Sequence, residues 1–213
     1  MTVLNIVTAV SRPGNLCKLL DSIEATVQGS GLDVNWIVVF DSPVDAPVEF
    51  QTRIDAARGL RIRKAFWLDG PCRFGILQKN LGIDLCDHGF YYLLDDDNVL
   101  HPAFLGAIGK LIRLHPAKLA FAFNQIRWDH HGNLPARPER MVPDQIDNSM
   151  FVVHTDLIGG ERYDIQRAGQ EDGFFFQGLY GRMPEAFLFV DEYLTYYNYL
   201  VHFPEGPEPT SGR

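Results

Sequence analysis

Three aspartates in succession, Asp95, Asp96 and Asp97, stand directly behind the apolar run YYLL (91–94) and ahead of Asn98. Adjacent like charges repel, so solvent or a bound cation has to offset them. Successive residues of an extended chain point to opposite sides. If the strand continues, Asp95 and Asp97 share one side and Asp96 takes the other. Two converging carboxylates suit a hard divalent cation, Mg²⁺ or Mn²⁺, which takes oxygen ligands and completes its shell with water and substrate phosphates. Such an ion also neutralises a diphosphate leaving group. A solvated acidic turn explains the same run. An EF-hand loop is excluded, because its glycine and distal glutamate are missing.

Other residues could serve the same chemistry. Asp41 closes the apolar run VNWIVVF, and a carboxylate there can accept from the N3–H of uracil, selecting uridine over cytidine. A turn aspartate is the plainer account. Thr8 and Arg12, at the end of LNIVTAV and just beyond it, could meet a base, ribose or diphosphate. Arg12 equally suits a turn arginine paired with an acid. Trp128 could stack on the face of an acceptor sugar or simply fill a core.

The elements that must position these residues follow from hydrophobic period. Apolar, β-branched runs predict strands over 4–10, 34–40, 59–68 and 90–96. Helical spacing predicts helices over 16–27, 75–86 and 102–115, the last with Pro102 in its first turn. This β–α–β rhythm implies an α/β fold, with a mostly parallel sheet covered by helices on both faces. Ligands of such sheets sit at the carboxyl ends of strands, where Asp41 and Asp95–Asp97 fall. Beyond residue 117 the pattern is mixed. Strands are predicted over 118–128 and 146–154, a polar loop between them, a helix over 170–182, and one or two aromatic-rich strands over 187–203. Residues 1–203 read as a single domain and 204–213 as a disordered tail.

Composition narrows the classes. Of 213 residues 46% are hydrophobic, enough for a sizeable core, and the formal charge of −8 with no basic tract argues against nucleic acid as a partner. No apolar run reaches the ~18–20 residues of a membrane helix. Cys17, Cys72 and Cys86 are scattered and odd in number, which suits a reducing compartment. With no basic, cleavable start, a cytoplasmic location is expected.

Five stretches in order resemble the GT-A glycosyltransferases, particularly the inverting family 2 type: IVTAVSRPGNLCKLLDSI, WIVVFDS, LQKNLGID, YYLLDDDN and GQEDGFF. SRP, WIVVFDS and DDDN are also similar to the animal glucuronosyltransferases. The resemblance spans Val3 to about His202. It implies a GT-A, Rossmann-like fold with a nucleotide-diphospho-sugar donor, a Mn²⁺ or Mg²⁺ site and transfer with inversion to a glycan or small-molecule acceptor. Thr8, Arg12, Asp41, Asn80, Asp95 and Asp96 would bind the donor, with the Asn80 side chain facing it. Asp95, Asp97 and a late histidine, His202, would hold the metal; His130, His131 and His154 are its rivals.

The same resemblance puts the base in the Glu171–Asp172 pair, Asp172 first, although acids at a helix start are favoured by the dipole alone. It makes Asp147 an acceptor contact alongside Trp128. Lys79 reads as a solvated surface lysine. One departure is that a single acid, Asp41, follows the second strand where the family often has two. Two rival functions remain open. A sugar-1-phosphate nucleotidyltransferase would share the sheet but usually carries a glycine-rich loop that AVSRPGN lacks. A non-catalytic relic would bind nucleotide without turnover.

Overall fold

The computed structural model describes residues 2–40, 46–57, 59–66, 75–128 and 132–205. In chain order the elements are β1 (Thr2–Val10), α1 (Leu16–Val27), β2 (Leu32–Phe40), α2 (Val48–Ile54), β3 (Leu60–Phe66), α3 (Ile76–Asp84), β4 (Phe90–Leu93), β5 (Val99–Leu100), α4 (Phe104–Leu114), β6 (Ala120–Ile126), β7 (Phe151–His154), α5 (Thr155–Ile158), α6 (Glu171–Arg182), β8 (Phe187–Tyr196) and α7 (Tyr199–His202). The strands form one eight-stranded sheet in the order β3-β2-β1-β4-β7-β6-β8-β5. The β3-β2-β1-β4 part is parallel throughout. Strand β7 then runs antiparallel to both β4 and β6, while β8 is parallel to β6. This is the α/β architecture the sequence predicts, mostly parallel with a mixed C-terminal part.

Period-2 alternation sorts the strand residues onto two faces. Val34, Trp36, Val38 and Phe40 of β2, with Phe90 and Tyr92 of β4, join the core layer completed by Leu16, Leu19 and Leu20 of α1 and by Phe104 and Ile108 of α4. Ile37, Val39, Tyr91 and Leu93 face the other layer, with Ile76 and Ile83 of α3 and Phe176 and Leu179 of α6. Helix α3 comes close enough to β1 to require glycine: a Cβ on Gly82 would lie 2.2 Å from Val7 Cγ1.

Several expectations need correction. Strand β4 ends at Leu93 and does not run on through the aspartates. A turn replaces it, with the Asn98 amide donating to the Asp95 carbonyl at 3.1 Å. The stretch before β3 holds the helix α2. Pro102 precedes α4, whose N-cap is Ala103. The strand expected over 146–154 is shortened to β7 by a 3₁₀ turn at Asn148–Met150, capped by Asp147. The aromatic segment is one strand and a short helix, not two strands, because Asn198 adopts a left-handed φ of 49° and breaks the extended run. Among the described residues, no helix is long and apolar enough to cross a membrane.

The glycine contact gives a direct test. Gly82→Ala should destabilise the fold by about 1–3 kcal/mol through overpacking against β1. Gly106→Ala in α4, where a Cβ meets nothing within 4 Å, should be neutral or stabilise by up to about 1 kcal/mol. Urea unfolding of the two variants checks this, and equal midpoints would contradict the close approach.

Candidate functional site

The turn that follows β4 is tied to the end of β1 by one carboxylate. Asp96 is buried, and its Oδ2 accepts from the Ser11 amide (2.6 Å), the Ser11 hydroxyl (3.0 Å) and the Arg12 amide (2.6 Å). The Arg12 guanidinium donates to Asp96 Oδ1 at 2.5 Å and, through the same nitrogen, to Asp97 Oδ2 at 2.8 Å. Asn15 adds a bond to the Asp96 carbonyl at 2.9 Å. The expected alternation of the three side chains is therefore overturned. Asp96 and Asp97 both reach Arg12, because a turn does not keep strand geometry. Asp96 is fully used in holding two loops together.

A cavity of about 370 Å³ opens at the carboxyl ends of β1 and β4. Among the described residues, Asp95, Asp96, Asp97, Asp147, Glu171 and Asp172 all line it, with Arg12 and Lys79 as the cations. Burial pushes Asp95 well above the usual carboxylate range. Lys79 pulls it down, and Asp147, Asp172 and Asp97 push it further up. Asp97 is raised for the same reasons, with Arg12 opposing. Asp147 is anchored through Oδ1, which accepts from Gln125 Nε2 (2.7 Å), the Ser149 amide (3.0 Å) and the Ser149 hydroxyl (2.5 Å). Gly75, left-handed at φ 72°, brings the start of α3 against Ala9 at the cavity edge.

Lys79 is not a surface residue. It is 5% exposed, and its Nζ donates to Glu171 Oε1 at 3.0 Å and Asp172 Oδ1 at 2.9 Å, with the Tyr163 ring 5.5 Å away. Burial would lower its pKa, but Asp172, Asp95 and Glu171 outweigh that and hold it charged. The two acids differ. Glu171 Oε2 accepts the Gly169 amide at 2.6 Å, so both of its oxygens are committed. The Asp172 side chain is 23% exposed. Burial raises its pKa to about 6 against the pull of Lys79, with Glu171 and Asp147 adding to the rise.

The remaining predicted residues fall elsewhere. The Thr8 hydroxyl is buried and accepts from Trp36 Nε1 at 3.0 Å, so Ala9 and Ser11 line the cavity in its place. Asn80 does not face the cavity; it is paired in both directions with the Tyr163 backbone, at 3.0 and 2.8 Å. His202 is not on a strand and does not line the cavity; it is an exposed residue of α7. His154 sits at the end of β7. Trp128 is 42% exposed and belongs to an aromatic cluster, its ring 5.4 Å from Tyr196, 5.1 Å from Tyr199 and 5.4 Å from Phe203. Asp41, His130 and His131 lie outside the described residues.

Sequence reasoning also missed residues. Tyr197 and Asn198 line the cavity, with the Arg127 guanidinium 4.2 Å over the Tyr197 ring. The Asn198 amide donates to Asn98 Oδ1 at 2.7 Å, and the Leu200 amide to the Asp97 carbonyl at 2.9 Å, so the chain after β8 is fastened to the aspartate turn. The signal for Lys79 was present: it lies three residues after Ile76 and four before Ile83, on the buried face of α3.

No protein-family model matches the sequence, and no curated protein does. Solved structures share its shape. S. aureus TarS 1-349 in complex with UDP aligns with 92% of this chain and 60% of its own, with a TM-score of 0.68 and 14% identity. The same protein in complex with UDP-GlcNAc gives 92% and 58%, a TM-score of 0.65 and 12% identity. The mannosyltransferase PcManGT from Pyrobaculum calidifontis, in complex with GDP-Man and Mn²⁺, gives 92% and 56%, a TM-score of 0.62 and 14% identity. This chain spans from 36% to 63% of the lengths of the TarS chains it matches. The fold is that of the GT-A-type glycosyltransferases.

The charge arrangement carries two predictions. Lys79→Met leaves the buried Glu171 and the partly open Asp172 without their counter-ion and should cost about 3–5 kcal/mol in urea unfolding. Asp172 loses its proton near 3.8 when unfolded and near 6 when folded. Between those values the native state holds the extra proton, so this group's contribution to stability falls as pH rises through the window. Asp172→Asn should flatten that slope between pH 4 and 6.5; an unchanged slope would contradict it.

Proposed function

We propose that the chain is a divalent-metal-dependent glycosyltransferase that moves a sugar from a UDP-sugar to an acceptor hydroxyl with inversion. One observation carries this reading: the aspartate turn and a raised, partly open carboxylate, Asp172, line a single cavity at the strand ends of a GT-A fold. The complexes of TarS with UDP and UDP-GlcNAc and of PcManGT with GDP-Man and Mn²⁺ support a nucleotide-sugar donor and a metal. The choice of uridine rests on Asp41 and on the resemblance of the sequence motifs.

The donor set fits the metal. Asp95 and Asp97 are oxygen ligands, and both are raised by burial and by neighbouring acids, a strain that a hard cation relieves. A Mn²⁺ or Mg²⁺ held there supplies charge neutralisation for the diphosphate. The half-exposed Arg12 guanidinium, now shared by Asp96 and Asp97, can turn toward the same phosphates. Asp172 takes the proton of the acceptor hydroxyl. The acceptor oxygen bonds to the anomeric carbon as the bond to the diphosphate oxygen breaks, and that electron pair leaves with the diphosphate. Lys79, itself anchored by Glu171, holds Asp172 in position. Asp147, whose Oδ2 lies 4.0 Å from Arg127, and the open ring of Trp128 are the acceptor contacts we assign.

Hydrolysis of a UDP-sugar, with water as acceptor, supplies an assay before the acceptor is known. Asp172→Asn should lower the rate on the order of 10²- to 10⁴-fold with UDP affinity near wild type. Asp97→Asn should remove the Mn²⁺ dependence of UDP binding by calorimetry. Wild-type turnover in Asp172→Asn would remove it from the reaction, and unchanged Mn²⁺ dependence in Asp97→Asn would remove the metal from the turn.

A further inference from the structure

We propose that His88, His154 and Asp156 form a second metal site, for a divalent transition ion such as Zn²⁺, at the end of β4 opposite the donor cavity. This goes beyond the transferase reading and does not depend on it. The aspartate turn leaves the carboxyl end of β4, whereas His88 precedes its first residue, Phe90. At ~3.3 Å per strand residue the two sites are roughly 20 Å apart. His154 is the last residue of β7 and pairs with Phe90 across the sheet, and Asp156 follows it in α5.

The three side chains converge closely enough to share one ion. Asp156 Oδ1 lies 3.2 Å from His88 Nε2, and Asp156 Oδ2 lies 3.4 Å from His154 Nδ1. Zinc bonds of ~2.0–2.1 Å in a tetrahedron put neighbouring ligand atoms ~3.3–3.4 Å apart; the two carboxylate contacts, made by different oxygens, are near that value, and the exposed His88 side chain has to close the remaining edge. One ligand atom from each of the three residues falls within 4.8 Å of the others. The donors are set by backbone as well as by side chains. The Thr155 amide donates to the Gly89 carbonyl at 2.7 Å, and the Gly89 amide to the Thr155 hydroxyl at 3.2 Å. The half-buried His154 ring packs edge-on to Phe90 at 4.9 Å and to His88 at 5.0 Å.

A plain ion pair does not account for this group. His154 Nδ1 accepts the Asp156 amide at 3.2 Å, so that nitrogen carries no proton, yet it faces a carboxylate oxygen at 3.4 Å. Two acceptors face each other, and a cation between them removes the repulsion; the long amide bond is what it would displace. Two imidazoles and one carboxylate suit zinc, whereas the all-oxygen donor cavity suits Mg²⁺ or Mn²⁺. His88 and Asp156 are exposed, so water can take the fourth position.

The test is calorimetric titration of Zn²⁺ into the chelator-treated full chain at pH 7.5, with visible absorption of Co²⁺ as a check on tetrahedral geometry. Wild type should bind one ion with these ligands. His88→Ala and Asp156→Asn, both exposed positions, should lose at least about tenfold in affinity, the lower range seen even when an outer-shell partner is removed. Asp97→Asn should keep the site, and UDP-sugar hydrolysis should be unchanged in His88→Ala. Zinc binding that survives His88→Ala, that vanishes only in Asp97→Asn, or that is absent up to millimolar Zn²⁺ would overturn the proposal.

Discussion

Among the described residues, six carboxylates share one cavity with two cations, and the local structure is organised around that imbalance. Each acid has been dealt with differently. Asp96 is neutralised by a ring of backbone amides and the Arg12 guanidinium, an arrangement in which charge-assisted bonds replace water. Glu171 is held by Lys79 and the Gly169 amide. Asp147 is saturated on one oxygen. Asp95, Asp97 and Asp172 are left with raised affinities for positive charge. The fold thus saturates Asp96 and Glu171, gives Asp97 and Asp172 only a share of Arg12 and Lys79, and leaves these last two, with Asp95, holding protons more tightly than a free carboxylate. Perturbed groups of that kind, gathered in a cleft, mark functional sites more often than structural ones.

The sheet's first half could be read from the sequence because β1, β2 and β4 are buried on both faces and α1 and α4 each carry an apolar stripe. The helix α1 begins and ends where Leu16, Leu19, Leu20, Ile23 and Val27 predict. The helix α2 was invisible: it buries only Phe50, whose ring edge meets Trp36 at 5.6 Å, and one aromatic residue makes no period. The strand β5 is two residues long and exists only through its pairing with β8. Neither has a local signature, since tertiary partners create them.

At the site, residue types were legible and directions were not. The aspartates, Arg12 and the Glu171–Asp172 pair do line one cavity. Strand alternation failed for Asp95–Asp97 because a turn intervenes. Asn80 and Thr8 were drawn to a ligand by their polarity, but their hydrogen bonds are spent on Tyr163 and Trp36. Lys79 shows the converse. Lysine is almost never fully buried unless paired, and its partners lie more than ninety positions further along the chain, beyond the reach of any window. A further polar chain, Tyr91 to Tyr163 to Asn148, runs behind it at 3.1 and 2.9 Å, made by three segments no local pattern joins.

The bond from the Leu200 amide to the Asp97 carbonyl turns the aspartate turn into something that can be watched from outside. That amide belongs to a four-residue helix in which Leu200 is buried and the next residue, Val201, is exposed. Its rate of deuterium uptake is governed by how often the turn and the chain after β8 part, an opening far smaller than global unfolding. The neighbouring Asn198 amide, held by Asn98, opens with it. The amides of Asn198 and Leu200 therefore act as a clock for the motion of the acids some hundred residues earlier, and any ligand that tightens the turn slows that clock without touching it.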